Sequence, residues 1–130
     1  MVGAGRVATR KARSLLAAGA SVTVIGPDAT SALRRLRGVR WLRRCYRAGD
    51  LSGAKLVVAA TDNLDVNRRV CAEAKRRRLL VNCAAPPQAG NFIVPSVIRH
   101  RGITIAISTG GVSPSLAKAT RKKLERALRT

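Results

Sequence analysis

The sequence predicts an α/β fold in which a Rossmann-like parallel sheet, with a truncated first strand, is followed by a small α+β region. A G-x-G-x-x-A turn opens the chain at Gly3–Ala8, and a helical run and a β-branched strand follow it. Short apolar strands then alternate with helical segments as far as Asn82, which is typical of a parallel sheet. A loop rich in proline and glycine begins at Ala85, so we predict domains 1–84 and 85–130.

The glycine turn contains the residue types that a dinucleotide-binding unit needs. Gly3 permits a tight turn, Gly5 lets the backbone approach a pyrophosphate, and Ala8 lets the helix pack close to the sheet. Free N–H groups at the start of the helix would hold the phosphates. Glycines with this spacing also mark ordinary turns, but the helix and strand that follow favour the dinucleotide-binding interpretation.

Asp28 follows the second predicted strand, Ala20–Ile25, and bears on the choice of cofactor. A carboxylate about twenty residues beyond a glycine turn meets the ribose hydroxyls, which favours NAD over its 2′-phosphorylated form. Arg34 and Arg35 are nearby in the sequence and can equally accept a phosphate. The sequence therefore leaves this preference open.

The first strand of the sheet is unusually short, because only Met1 and Val2 precede Gly3. A Rossmann sheet places this strand at its centre. Either the true chain begins upstream, or the sequence is a fragment, or the sheet is built with a stub. The sequence does not distinguish between these three.

The remaining elements of the predicted sheet follow in order. An arginine-rich strand over Val39–Tyr46 suits an edge position. Leu56–Ala60 is a continuous apolar run typical of a buried parallel strand, and polar Thr61 and Asp62 come directly after it. Further predictions are a short helix capped within Asp28–Ser31, a helix over Asn67–Arg78 with Val70, Cys71 and Ala74 on its apolar face, and a strand over Leu79–Asn82. In the first helix, Val7, Leu15, Leu16 and Ala18 are predicted to form the apolar face.

The second region is predicted to contain an extended segment, a strand and a terminal helix. Phe92–Ile98 is extended, and Ile103–Ser108 is a β-branched strand. Ser113 suits the N-cap of the last helix, with Pro114 at its first position. The apolar stripe of that helix is predicted to be Leu116, Ala117, Leu124 and Leu128.

The net charge of +20 is the extreme feature of the composition. Such a surface attracts polyanions, either nucleic acid or a polycarboxylate substrate, although arginine can also accumulate on solvated faces. Nucleic acid is the less favoured partner, since the chain has only Trp41, Tyr46 and Phe92 as aromatic residues and no aromatic pattern that would stack on bases. No apolar run is long enough to span a membrane. Three cysteines without paired spacing argue against a zinc site or a disulfide framework and favour the cytoplasm.

Several motifs together resemble the siroheme synthase N-terminal family, the precorrin-2 dehydrogenases. They lie at Gly3–Lys11, Gly19–Val24, Ala59–Asp62, Val81–Asn82, Phe92–Pro95 and Ile105–Ala117, in one order. The Ser-Thr-Gly-Gly-x-Ser-Pro run at Ser108–Pro114 is the specific part, because it is not a general Rossmann feature. The resemblance covers essentially the whole chain.

The resemblance implies oxidation of precorrin-2 to sirohydrochlorin with NAD, on the route to siroheme, by a homodimer with a dimerisation region after the Rossmann domain. Some members also insert iron, which the sequence leaves open. A carboxylate-bearing tetrapyrrole would also account for the basic surface. The positions assigned to the cofactor are Gly3, Ala4, Gly5, Arg6, Val7, Pro27, Asp28, Thr61 and Asp62, and those assigned to the substrate are Asn82, Ser108, Thr109, Gly110 and Gly111.

One departure from the family concerns catalysis. Family members carry an aspartate in a Val-Asn-x-x-Asp pattern, implicated in dehydrogenation and metal insertion, and here Ala85 occupies that position. A methyl group can neither accept a proton nor bind a metal. Cys83 and His100 are conceivable substitutes, although each is better explained as structural or solvated. Alternatives to the dehydrogenase are therefore an inactive paralogue that binds nucleotide or tetrapyrrole, and a basic nucleic-acid-binding domain.

Two further departures concern the ends. The first strand is missing, and the helical region that usually follows the last helix would lie beyond Thr130.

Overall fold

The computed structural model describes residues 1–129 and divides the chain into two compact units, Met1–Phe92 and Ile93–Thr130. The first unit contains helices α1 (Arg6–Ala17), α2 (Ser31–Arg34) and α3 (Leu64–Arg76), and strands β1 (Val22–Ile25), β2 (Val39–Leu42), β3 (Leu56–Ala59) and β4 (Leu80–Cys83). The second contains β5 (Ser96–His100), β6 (Ile103–Ile107) and α4 (Pro114–Leu128). The predicted α/β class with a parallel sheet is confirmed, whereas the division into domains 1–84 and 85–130 stays a prediction.

The four strands of the first unit pair in parallel on the two sides of Val2. β1 pairs with β2 from Val22 opposite Val39, and β3 pairs with β4 from Leu56 opposite Leu80. Val2 forms parallel bridges with both Ile25 and Ala59. The order across the sheet is therefore β2, β1, Val2, β3, β4, which is the Rossmann order with its central strand reduced to a stub.

The stub makes the hydrogen bonds of a central strand on both of its edges. The Val2 N–H donates to the Val58 carbonyl (2.8 Å), and the Ala60 N–H donates to the Val2 carbonyl (2.8 Å). On the other side, the Met1 amino group donates to the Thr23 carbonyl at 2.8 Å. Next to Met1, the amino-terminal ends of β1 and β3 line a cavity of about 720 Å³.

Helices α1 and α3 pack on opposite faces of the sheet. Neighbouring residues of a strand point to opposite faces, so alternate residues of β3 contact different helices. Val57 and Ala59 belong to the core built on α3, whereas Val58 and Ala60 pack with Ala8 of α1. The predicted face of α3 is confirmed: Val70, Cys71 and Ala74 are buried.

The prediction for α1 is wrong at Val7, which is 41% exposed, and at Ala18, which is exposed and follows the last residue of the helix. The helix instead buries the small residues Ala8, Thr9 and Ala12, because it lies too close to the sheet for larger side chains there.

Several predicted boundaries in the first unit are also wrong by one or two residues, and two by more. Helix α3 begins three residues before Asn67, because the Asn63 side chain accepts hydrogen bonds from the N–H groups of Asp65 and Val66. β2 ends at Leu42 rather than Tyr46. Beyond it the chain turns, and Arg44 forms an ion pair with Asp50 at 2.8 Å that satisfies both groups outside the sheet.

The second unit is an antiparallel hairpin with one helix. Strand β5 pairs with β6 from Ser96 opposite Ile107. Ser113 caps α4 through the Leu116 N–H, and Pro114 occupies the first turn, as predicted. The predicted stripe of α4 is only partly correct, because Ala117 is buried while Leu116 and Leu124 are 58% and 37% exposed.

Candidate functional site

The glycine turn at the start of α1 is pressed against the end of β3. A Cβ atom on Gly3 would lie 2.3 Å from the Ala60 carbonyl oxygen, and the φ of this residue is +109°. Both facts exclude any residue with a side chain, because the turn is too tight and its backbone is left-handed. The role predicted for Gly3 therefore has a direct steric basis.

Gly5 differs from Gly3, because nothing in the fold requires a glycine there. A Cβ on Gly5 would meet no atom within 4 Å, and its φ is an ordinary −86°. The first N–H groups of an α-helix have no intrahelical acceptor, and α1 has neither a side-chain cap nor an acid in its first turn. The space above Gly5 and the exposed Arg6 and Val7 therefore fits a pyrophosphate group.

The loop that follows β1 is tied to the glycine turn. The Thr30 N–H donates to the Ala4 carbonyl at 3.1 Å, and the Thr30 and Thr9 hydroxyls are 2.7 Å apart. The Trp41 indole N–H donates to the Gly26 carbonyl at 2.9 Å, which joins the end of β2 to the same loop. Ala4 is buried, so it packs the turn against the core.

Asp28 and Asp62 occupy two loops at the carboxyl edge of the sheet, and both are exposed, as is Pro27. Within residues 1–129, the ion pairs use the other four acids of the chain: Asp50, Asp65, Glu73 and Glu125. Asp28 and Asp62 are in none of these pairs, so both carboxylates can accept hydrogen bonds from sugar hydroxyls. Arg34 lies over the Trp41 ring, 5.2 Å from its centroid.

A residue that the sequence reasoning missed, Asn67, connects two of these loops. Its amide oxygen accepts from the Thr61 N–H (3.0 Å) and the Thr61 hydroxyl (2.6 Å). Its amide nitrogen donates to the carbonyls of Thr61 (3.1 Å) and Ala85 (2.7 Å). Asn67 is fully buried. The available signal was a polar residue on the helical face that carries Val70, Cys71 and Ala74, where an amide must find partners.

Ala85 lies in the loop that follows β4, half-buried. Cys83, one conceivable substitute for the family aspartate, is buried in the α3 core beside Cys71. Burial, together with a hydrogen bond to Cys83, raises the pKa of the Cys71 thiol to about 12. These neighbours favour a structural role for Cys83. His100, the other substitute, belongs to β5 of the second unit and lines a separate cavity there with Glu125.

Asn82 is a second buried amide at the carboxyl end of β4, only 8% exposed. Its nitrogen donates to the Phe92 carbonyl at 3.2 Å. Within the described residues its amide oxygen has no hydrogen-bond partner. An acceptor left this way is costly unless a donor reaches it. The structure therefore brings Asn82 to the predicted edge with a buried acceptor that has no partner among the described residues.

The predicted substrate residues Ser108–Gly111 follow β6 in the second unit. The Gly110 N–H donates to the Ser108 hydroxyl at 3.1 Å, and the Ser113 N–H donates to the Thr109 hydroxyl at 3.0 Å. Gly110 and Gly111 both have left-handed backbones. The loop is therefore held by its own side chains and leads directly into the cap of α4.

Two further findings concern metals and membranes. Over residues 1–129 no group of three or more His, Cys, Asp or Glu side chains is placed to hold a metal ion. In the same range, no helix is both long and apolar enough to cross a bilayer.

Two family models match the chain. A model described as NAD(P)-binding matches residues 1–96, and one described as sirohaem biosynthesis protein central matches residues 101–127. The first model covers the glycine turn, all four parallel strands and the loop that contains Ala85.

Known proteins similar to the chain carry related names. Siroheme synthase 3 of Aeromonas hydrophila is 42% identical over 98% of the chain, and the siroheme synthase of Chromobacterium violaceum is 43% identical over 96%. The chain spans 28% and 27% of the lengths of these two relatives. A solved structure named SirC, precorrin-2 dehydrogenase, superposes with a TM-score of 0.86 at 31% identity, covering 97% of this chain and 63% of its own.

Proposed function

Because the chain belongs to the NAD(P)-binding family that matches residues 1–96, in the form found in siroheme synthases, we propose that it oxidises precorrin-2 to sirohydrochlorin with NAD. The observation that carries the proposal is the open space above Gly5 at an uncapped helix start. The fold gains nothing from a glycine there, so the missing side chain is best explained by a ligand that approaches the backbone.

The residues of the turn hold and orient the cofactor. The N–H groups at the start of α1 bind the pyrophosphate, and the carboxylate of Asp28 accepts from the ribose hydroxyls. Thr61 and Asp62 adjoin the turn at the end of β3, and the loop at Ala85 lies on the same edge of the sheet. A nicotinamide ring bound along this edge supplies the hydride acceptor for the oxidation.

The substrate is a tetrapyrrole with carboxylate side chains, and the surface of the chain suits it. With 26 basic and six acidic residues, the protein attracts a polycarboxylate and can pair with its acids. With a methyl group at position 85, no strong base is provided there, so we propose that turnover is slow.

Gly5→Asp tests the cofactor site, because its carboxylate would occupy the space above the turn and repel the phosphates. We expect NAD binding measured by calorimetry to be lost, with the urea midpoint unchanged. Ser115→Asp, which adds the same charge to the exposed first turn of α4, is the control and should bind NAD as the parent does. Equal binding by Gly5→Asp and the parent would refute the site.

Turnover with precorrin-2 separates the dehydrogenase from the two alternatives. NADH formation under anaerobic conditions supports the proposed reaction. Binding of NAD and tetrapyrrole without turnover would instead indicate the inactive paralogue. Affinity for DNA that falls steeply with salt, in a chain that does not bind NAD, would indicate a nucleic-acid-binding domain.

We also propose that NAD is preferred over the 2′-phosphorylated form. The exposed carboxylate of Asp28 would repel a 2′-phosphate, and Arg34 is stacked on Trp41. Asp28→Ala should lower the ratio of the affinity for NAD to the affinity for its 2′-phosphorylated form. An unchanged ratio would contradict the role proposed for Asp28.

We also propose that the chain forms a homodimer through the region from Ala85 onward. Its proposed location is the cytoplasm. Among the described residues of the second unit, six large apolar side chains are exposed, which supports a protein contact there. Light scattering should give a dimer at micromolar concentration, and a strict monomer would contradict it.

A further inference from the structure

We infer that Asn67 is a positioning residue, which sets the backbone at position 85 so that a side chain there is directed at the carboxyl edge of the sheet. The inference rests on the proposed function, because that edge is where the cofactor and substrate meet. It concerns how the backbone at position 85 is held, and not the aspartate that family members carry there.

The backbone at positions 84 and 85 has two anchors, one at the end of β3 and one on helix α3. The Ala84 N–H donates to the Ala59 carbonyl at 2.9 Å. The Ala85 carbonyl accepts from the Asn67 amide at 2.7 Å. Two anchors on adjacent residues fix the direction of the Cα–Cβ bond at Ala85 relative to β3.

The anchor on Ala85 is itself rigid, because Asn67 has no freedom to turn. Three further hydrogen bonds join its amide to the N–H, hydroxyl and carbonyl of Thr61. The side chain is fully buried, and all four of its hydrogen-bonding groups are used. Asn67 therefore relates the loop after β4 to the turn after β3, which together form the edge of the site.

Asn91 provides a control at the other end of the same loop, because among the described residues its side-chain amide bonds to Val81 and Leu79 rather than to Ala85. Its amide oxygen accepts from the Val81 N–H at 2.7 Å, and its nitrogen donates to the Leu79 carbonyl at 3.0 Å. Asn67→Ala and Asn91→Ala each remove a bridging amide. Both should lower the unfolding midpoint, but only the first releases position 85.

The experiment measures the gain from an acid at position 85 in each background. A positioned general base typically contributes about 10² to 10⁴ in rate, so Ala85→Asp should speed single-turnover NADH formation from precorrin-2 at least about tenfold at saturating NAD. Adding Asn67→Ala should abolish that gain, while adding Asn91→Ala should retain it. A gain that survives Asn67→Ala would overturn the inference.

A second measurement keeps the test independent of activity. The ¹³C shift of the Ala85 carbonyl, read by selective labelling, should move in Asn67→Ala and stay in place in Asn91→Ala. If Ala85→Asp gives no turnover, the proposed function fails. The ¹³C shift then tests the positioning role by itself, and an Ala85 carbonyl shift that does not move in Asn67→Ala would overturn that role. Should Asn67→Ala not fold, Asn67→Ser, whose hydroxyl falls short of the Ala85 carbonyl, replaces it.

Discussion

The two units of the chain differ in how much apolar surface they bury. In the part of the chain that the structure describes, the first unit contains almost the whole buried apolar core, and only Ile98 and Ala117 of the second unit are buried apolar residues. The second unit instead exposes Ile93, Val94, Ile103, Val112, Leu116 and Leu124. A unit of under 40 residues usually needs oligomerisation, a metal or disulfides for stability. The first unit therefore has a buried apolar core of its own, whereas the second exposes several large apolar side chains.

The largest expected difference between the units comes from a glycine substitution in each. Gly3→Ala should cost about 4 kcal/mol, because backbone strain and overpacking against the Ala60 carbonyl add. Gly102→Ala, at φ +82° with no atom within 4 Å of the new Cβ, should cost only about 1 kcal/mol. Urea unfolding followed by Trp41 fluorescence reports the first unit, and amide exchange in β5 and β6 reports the second.

Similar costs for these two variants would show that backbone strain alone, rather than packing, sets both. The difference between the crowded surroundings of Gly3 and the open surroundings of Gly102 would then have no effect on stability.

A leucine in each unit gives the next largest contrast. Leu33 is 2% exposed and packs with Val24. Leu33→Ala should therefore lower the free energy of unfolding of the first unit, measured by urea, by about 3 kcal/mol. Leu116 is 58% exposed, so Leu116→Ala should change the stability of an isolated chain by no more than about 0.5 kcal/mol. Repeating the second measurement over a hundredfold range of concentration sharpens the test. A cost that grows with concentration would indicate that a second copy covers this surface.

The smallest contrast is between two glutamates, and it depends on pH. Burial alone would raise the pKa of Glu73, but hydrogen bonds from Tyr46, the Gly49 N–H and Arg77 outweigh it and hold that pKa below its usual value. A carboxylate whose pKa is lowered on folding stabilises the protein above its unfolded pKa, and the stabilisation disappears as pH falls through the folded value.

Glu73→Gln should therefore cost about 2 kcal/mol at pH 7, because charge-assisted hydrogen bonds are lost. It should also flatten the loss of stability below about pH 4.3, the ordinary value for a glutamate. Glu125 pairs with Arg121 along α4 at a partly exposed position, so Glu125→Gln should cost no more than about 0.5 kcal/mol. The check is the urea midpoint between pH 3 and pH 7, and a variant slope as steep as that of the parent would contradict the role of Glu73.

The family comparison supports the sequence-based predictions most firmly where local pattern carries the information. The α/β class, the parallel strands and the resemblance to siroheme synthases follow from periodicity and from short motifs, because these depend on neighbouring residues. The N-cap at Ser113 and the apolar face of α3 are confirmed for the same reason. The roles assigned to individual site residues stay predictions.

What only the tertiary structure decided is which groups meet across long stretches of chain. Val2 serves as a central strand because β1 and β3 lie on either side of it, 20 or more residues away. Val7 proved exposed because the close approach of α1 to the sheet admits only small residues. Asn67 reaches Ala85, 18 residues further on, through the packing of α3 against the sheet. By itself, the sequence determined the elements and the glycine turn, since these are local. The contacts that assemble the site depend on packing between distant residues, which no local pattern encodes.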